Sequence, residues 1–520
     1  MNNPTSSQPR SDEKSSRLER ALWWGWLIAH LVIIWSFTYI PTRDGPAHLA
    51  SRFIERNYDS PQTNFAEYFT FSRTQVPNLT TVWLLRGLMA VFPPLIAEKV
   101  LVSLYVVAMT FAFLYFLRSF GEGARTVSAI GFLLIFNGTF YMGFYNYNFS
   151  LALYLTILGF LFRYAERPTG QQWLILSGLL TATYFCHLLG FLMAVASAVF
   201  ILAVMGHFRF RRLILLIAAA LPGLLLTADY LFRTAHAETP AGDQQGILAA
   251  LAEIRPSFSG VYEDLVLMVT EGYVPYSYDY LPYGTLIVCV YGLILGAAWF
   301  QKKRLLSAEI RLKKAQIITL IFGAVSLLAY LIFPDMLGAH GGFLKIRFAL
   351  NVFIFGAACL CVPLEGELRS VVIYYLHGLV AVHLACVTLF TNAANEEIDV
   401  FLSGRDVFSP GDVLYREDSD PATEFQGYLA NGTSYYCFMS SIVPLDLYQA
   451  EVDHFLIQFQ PGYERGRGDF FTYDHRDQVD YVIGWYSQPS EEFEAHSELK
   501  SVFQNQKLHI DRVERNAIGN

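Results

Sequence analysis

Residues 21–58 read ALWWGWLIAHLVIIWSFTYIPTRDGPAHLASRFIERNY. The opening run is apolar for about twenty residues, enough to cross the hydrocarbon core of a bilayer as a helix. It exceeds a signal-peptide core and carries no small-residue cleavage site, so it is expected to persist as a helix. Where that helix should reach water, the chain places Arg43, Asp44 and His48. A turn and a new helix need only Gly45 and Pro46, because proline fits the first helical turn, where its missing N–H has no intrahelical partner. A helix starting there sets His48 and Arg52 four residues apart on one face. It also puts Asp44 near the positive end of the helix dipole, which favours the carboxylate. An ionised carboxylate at a membrane–water boundary can act as a general base or a metal ligand. The plainer alternative is a helix N-cap with an ion pair to Arg43.

The rest of the chain extends this pattern. Of 520 residues, 54% are hydrophobic and 16% charged, against about 25% charged in an ordinary soluble domain. Uncharged apolar runs recur through the first three quarters, the mark of a polytopic membrane protein. They fall at 21–41, 96–118, 126–142, 146–164, 172–187, 188–206, 213–232, 284–301, 315–333, 347–364 and 369–391, about eleven spans. Residues 82–93 are too short for a comfortable crossing and are expected along the surface or as a re-entrant turn. The net charge of −8, with no basic arm or stripe, argues against a nucleic-acid partner. Five of the six cysteines lie in apolar segments and read as small packing residues. Cys437 stands alone in the C-terminal region, so no disulfide is expected within it.

Lys and Arg favour cytoplasmic loops. With a cytoplasmic N-terminus, Arg118 and Arg125, Arg163 and Arg167, and Arg209, Arg211 and Arg212 all fall inside. Residues 1–20 then read as a disordered cytoplasmic tail and 21–391 as the multi-pass domain. Loops 42–95 and 233–283 face outward, and 392–520 forms an extracytoplasmic domain. In that last region GDVLY, DYVIGWY and KLHIDRV read as strands. EIDVFLSGRDVF and PSEEFEAHSELKSVFQN read as helices, giving a small α/β domain of lid or support type. The fold class expected is therefore an α-helical polytopic membrane protein with a C-terminal α/β domain.

A first span, an outward loop opening on the acidic motif RDGPAH, roughly ten to thirteen spans and an outward C-terminal domain together resemble the membrane glycosyltransferases of the GT-C fold. The resemblance covers the architecture of residues 20–392. It implies that Asp44 is the base that deprotonates an acceptor hydroxyl. It also implies a polyprenyl-phosphate-linked sugar as donor, attack at carbon one with inversion, and departure of the lipid phosphate. Protein O-mannosyltransferases and aminoarabinose transferases carry two adjacent acids in this loop. Here there is one, followed by Gly45, and a divalent metal is left open. The acceptor is a glycan, lipid or protein.

Other residues are expected to bind substrate. His340, Lys345 and Arg347, in FPDMLGAHGGFLKIRF, are expected at the donor phosphate, which needs cationic or N–H partners. The alternative for them is cations snorkelling to headgroups. In NGTFYMGFYNYNFS, Asn146 and Asn148 offer paired donors and acceptors for a sugar. His48 and His187 complete the set. Glu263, Asp264, Glu271 and Asp279 compete with Asp44 for the role of base. The alternative function is a transporter, flippase or polymerase-like protein for lipid-linked glycans. It would need charge deep within several spans, for which His30 and His383 are the candidates.

Overall fold

The computed structural model describes residues 8–72, 77–121, 123–205, 210–236, 313–335, 342–361, 366–417, 427–452, 455–485 and 498–514. The chain divides into two compact units. One comprises 1–34, 103–140 and 145–388, and the other 35–102, 141–144 and 389–520.

The first unit is helical. Helix α1 (Gln8–Ser36) begins inside the segment expected to be a disordered tail. Glu19 ties this helix to the rest of the unit. This carboxylate is buried, accepts from Thr126 Oγ1 at 2.6 Å and pairs with Arg369 at 3.0 Å. Further along α1, Trp26 donates to His377 Nδ1 at 2.8 Å.

The expected span 126–142 is not one helix. It breaks into α6 (Ala124–Val127), α7 (Ala129–Leu133) and α8 (Gly138–Tyr141). Asn137 causes one break, because its Oδ1 accepts from Thr139 N at 2.8 Å and from Thr139 Oγ1 at 2.6 Å. Asparagine competes in this way with helical hydrogen bonding. Next come α9 (Tyr145–Tyr164), α10 (Gly170–Cys186), α11 (Leu188–Val204) and α12 (Phe210–His236). After them lie α13 (Lys314–Ile332), α14 (Leu344–Cys359) and α15 (Gly366–Phe401).

Among the described residues, four helices are long and apolar enough to cross a membrane: Pro94–Leu117, Phe210–Arg233, Lys314–Ile332 and Arg369–Val407. Leu188–Val204 is apolar but shorter. The count of eleven spans is thus not reached there, and the expected span 284–301 lies outside the described residues.

The second unit combines the first outer loop with the C-terminal region. Helix α2 (Gly45–Arg56) is followed by α3 (Phe65–Tyr68), strand β1 (Phe69–Phe71), α4 (Thr80–Met89) and the start of α5 (Pro94–Leu117), whose residues from 103 on belong to the first unit. The short apolar stretch at 82–93 is therefore mostly the ten-residue helix α4. The later strands are β2 (Val413–Glu417), β3 (Val443–Pro444), β4 (Ile457–Phe459), β5 (Arg467–Gly468), β6 (Tyr481–Trp485), β7 (Leu499–Gln504) and β8 (Leu508–Val513). The sheet order is β3-β2-β6-β8-β7, with β5 also on β2. Strand β2 runs parallel to β3 and β6, and β8 runs antiparallel to β6 and β7.

Residues 499–504, expected to continue a helix, form an edge strand instead. Pairing with β8 outweighs the helical spacing of Phe and Leu there. The two sequence segments share one core. Ala47, Ala50 and Ile54 on α2 pack with Phe65, Phe69, Tyr415, Val443 and Val482. Strand β1 pairs antiparallel with β4, Phe69 opposite Phe459. Helix α16 (Thr433–Ser440) packs on α2. The outer loop is thus continuous with the region 392–520 expected to be a separate domain, because the small side chains along α2 supply part of the sheet's apolar cover.

Candidate active site

Asp44 occupies the N-cap position of α2, with Pro46 in the first turn, yet its side chain makes no capping hydrogen bond. The carboxylate turns toward the C-terminal region instead. Asn431 Nδ2 donates to Asp44 Oδ1 at 3.0 Å and to the Arg43 carbonyl at 3.0 Å. The Tyr448 hydroxyl also donates to the Asp44 carboxylate. Arg43 and Arg465 add positive charge nearby.

Burial nonetheless dominates. It lifts the Asp44 carboxyl from the ordinary carboxylate range to about 6, against the opposing pull of Arg43, Tyr448, Asn431 and Arg465. Asp44 remains half-buried rather than sealed. A carboxylate with these properties takes up and gives back a proton near neutral pH, as a general base must. The capping half of the plainer reading is not what the side chain does.

His48 lies one turn into α2. Its Nδ1 faces Gln449 Nε2 at 3.0 Å, and its ring also bonds the backbone of Gly143. Burial first, then Arg52, pushes the imidazole down to about 4, so His48 is neutral at physiological pH. Gln449 accepts from Ser51 Oγ at 2.5 Å through Oε1. With both sides of its ring occupied by the protein, His48 braces the site. Arg52, on the same face, pairs with Glu55 at 2.6 Å.

The loop 141–144 closes over the start of α2. Arg43 N donates to the Tyr141 carbonyl at 2.8 Å. Gly143 has φ +77°, and a Cβ there would lie 2.8 Å from Asp44 N and 2.9 Å from Gly45 N. Only glycine allows that approach.

The groups aimed at Asp44 are an amide N–H, a phenolic O–H and two guanidinium charges. They satisfy a carboxylate, and the two guanidinium charges repel a cation. Among the described residues no cluster of three His, Cys, Asp or Glu side chains could hold a metal ion. Among the described residues, one carboxylate beside two guanidinium charges is a poor match to the divalent metal left open above.

The remaining expected residues belong to the helical unit. Arg347, half-buried on α14, lies over the Tyr147 ring at 5.2 Å. Its carbonyl accepts from Tyr147 OH at 3.2 Å and from Asn351 Nδ2 at 3.1 Å. His187 meets Tyr147 edge-on, with centroids 5.4 Å apart, and caps α11 by accepting from Leu189 N at 3.2 Å. These three side chains form one polar–aromatic cluster.

Lys345 donates its backbone N–H to Asp335 Oδ1 at 3.1 Å. Asn148 is wholly buried and accepts from Thr139 Oγ1 at 2.8 Å. That bond ties α9 to the broken helix. Asn146 is also buried. His340, Glu263, Asp264, Glu271 and Asp279 lie outside the described residues.

His30 and His383, the candidates for a transport path, are both buried. The His30 ring is engaged with the carbonyls of Trp26 at 2.7 Å and Phe132 at 3.1 Å.

Sequence reasoning missed Asn431, Tyr448, Gln449, Arg465 and Gly143. The one local signal was a glycine set in the aromatic run FYMGFY, where a backbone constraint is a physical reason for its presence.

No family model matches the chain, and no curated protein matches it. Among solved structures, it is similar to the arabinofuranosyltransferase AftD from Mycobacteria, solved by cryo-electron microscopy. The match has 12% sequence identity and a TM-score of 0.47, and it covers 95% of this chain but 40% of that one.

Proposed function

We propose that the protein is a membrane glycosyltransferase in which Asp44 is the base. The observation that carries this reading is the Asp44 carboxylate. It is half-buried, excused from capping its helix, held by two donors and lifted to about 6. In the reaction, Asp44 takes the proton of an acceptor hydroxyl as that oxygen attacks carbon one of the sugar. The bond from carbon one to the phosphate oxygen breaks on the opposite face, so configuration inverts and the lipid phosphate leaves with the bonding pair. The donor is a polyprenyl-phosphate-linked sugar and the acceptor a glycan, lipid or protein hydroxyl.

Profiling glycans and lipid-linked sugars in cells lacking the chain tests the class of activity. The expected result is one missing glycan residue and an accumulated lipid-linked donor. An unchanged profile would move the reading to transport or scaffolding.

The pH dependence follows from Asp44. The base form is the carboxylate, which predominates above about 6. Transfer should be level above that pH and fall as pH drops through it, by about tenfold per unit well below. An ordinary aspartate would hold activity about two units lower. An acid limb at pH 4 in a transfer assay would exclude Asp44 as the titrating base.

Arg347 is proposed as the partner of the donor's phosphate. Its guanidinium suits bidentate phosphate recognition. Arg347→Ala should weaken donor affinity by about tenfold or more, measured by titration with the lipid-linked donor. Unchanged affinity would remove Arg347 from that role.

A further inference from the structure

Both donors to Asp44 lie close along the chain to one buried ion pair in the C-terminal region. Arg416 on β2 is 1% exposed and Asp446, just past β3, is 2% exposed, with a charged-atom separation of 3.6 Å. Arg416 also donates to the Ala430 carbonyl at 2.5 Å. Asp446 accepts from Thr433 Oγ1 at 2.5 Å. The residues flanking Asn431 on either side are therefore tied to the same pair. Two residues beyond Asp446 lies Tyr448, the second donor to Asp44. Arg465 Nε donates to the Asp446 carbonyl at 3.0 Å, which anchors one of the two cations near Asp44 to the same place.

We propose that Asn431 is a positioning residue for Asp44, and that the Arg416–Asp446 pair holds it in place. One amide nitrogen binds both the carboxylate and the carbonyl of the preceding residue, so it restrains the side chain against its own backbone. On this view residues 427–449 are the wall of the active centre rather than a lid or remote support. The proposal rests on the reading of Asp44 as the base.

The groups facing Asp44 are Arg43 from the chain just before α2, Tyr448 and Arg465 from the sheet region, and Asn431 from the turn before α16. Along α2, His48 is neutral and turned to Gln449 and Gly143. Losing the Asn431 hydrogen bond removes a donor that favours the ionised form, so the carboxyl should become harder to ionise.

The test reads the protonation of Asp44 without any sugar. Dicyclohexylcarbodiimide modifies protonated carboxyls. The full-length purified protein is treated across a pH series, and the Asp44 adduct is quantified by peptide mass spectrometry. Wild type should show a midpoint of about 6, and Asp44→Asn should show no adduct at that position. In Asn431→Ala the midpoint should rise by about one unit, and in Asn431→Ser by less. Arg416→Lys keeps the charge but loses the planar fork, and should also raise the midpoint.

Unchanged midpoints in both Asn431 variants overturn the positioning role. If Asn431→Ala fails to fold by size exclusion, Asn431→Ser alone decides. An unchanged midpoint in Arg416→Lys overturns the role of the ion pair. An unchanged glycan profile in Asp44→Asn cells, beside a deletion that loses a glycan, would remove Asp44 as the base while leaving the labelling result intact.

Discussion

Cells carrying Asp44→Asn should match the deletion strain, with the same missing glycan residue and the same accumulated lipid-linked donor. Asparagine is nearly isosteric with aspartate, and its Oδ1 can still accept from Asn431 and Tyr448. The helix should keep its start, because the Asp44 side chain makes no capping bond to lose. What disappears is the proton acceptor. Removing a positioned general base typically costs about 10²–10⁴-fold in rate, enough to silence a pathway in cells. Protein level and membrane insertion must equal wild type for the comparison to count. If the variant inserts normally and its glycans match wild type while the deletion loses one, Asp44 is not the base. One of the acids in the 233–283 loop would then take its place.

Gly143→Ala should be the most damaging substitution among the small residues of the site. The added methyl would lie 2.8 Å from Asp44 N, 2.9 Å from Gly45 N and 3.0 Å from Asp44 Cα, all backbone atoms with no rotamer to yield. The φ of +77° adds a conformational penalty of about 1–2 kcal/mol for an L side chain. Overpacking adds about 1–3 kcal/mol more. The chain can relieve the clash only by moving loop 141–144 off the start of α2. That movement would stretch both the Arg43 N–Tyr141 bond and the contact of His48 with Gly143.

Gly462→Ala separates the two costs. Gly462 also has positive φ, +97°, but a Cβ there meets nothing within 4 Å. Thermal unfolding should show a larger loss for Gly143→Ala than for Gly462→Ala, and transfer activity should fall at least tenfold in the former only. Equal losses in the two variants would mean that the close approach at Asp44 is not maintained in solution.

The Asn431 variants extend the same logic to the far side of the carboxylate. Gly143 lies against the backbone of Asp44, and Asn431 holds its side chain. A carboxyl lifted to about 6 by burial is sensitive to each donor, because a hydrogen bond is stronger in a low-dielectric setting.

Much of this protein is written locally. The apolar runs mark α9 to α15 closely, because a helix that buries or immerses most of its surface needs apolar residues all round. Gly45-Pro46 marks the start of α2, because proline there costs no hydrogen bond. Val, Ile, Leu and Tyr in GDVLY, DYVIGWY and KLHIDRV mark β2, β6 and β8. Asp44 itself stands out because an acid directly after a span has to be accommodated.

Hydropathy could not tell a helix facing lipid from a segment buried in protein. Apolarity alone therefore reads the run at 126–142 as one span, although Asn137 breaks it. Nor could local spacing show that residues 499–504 pair with β8, since an edge strand's preference is set by its neighbour.

The partners of Asp44 are the clearest case. Asn431 lies 387 residues away along the chain, Tyr448 farther still, and Gly143 on a different loop. No local periodicity specifies which distant loop will meet a given side chain. Local sequence specifies a membrane protein with a chemically unusual acid directly after its first helix. The proton affinity of that acid is set by folding, because it depends on burial and on donors that folding alone brings within hydrogen-bond reach.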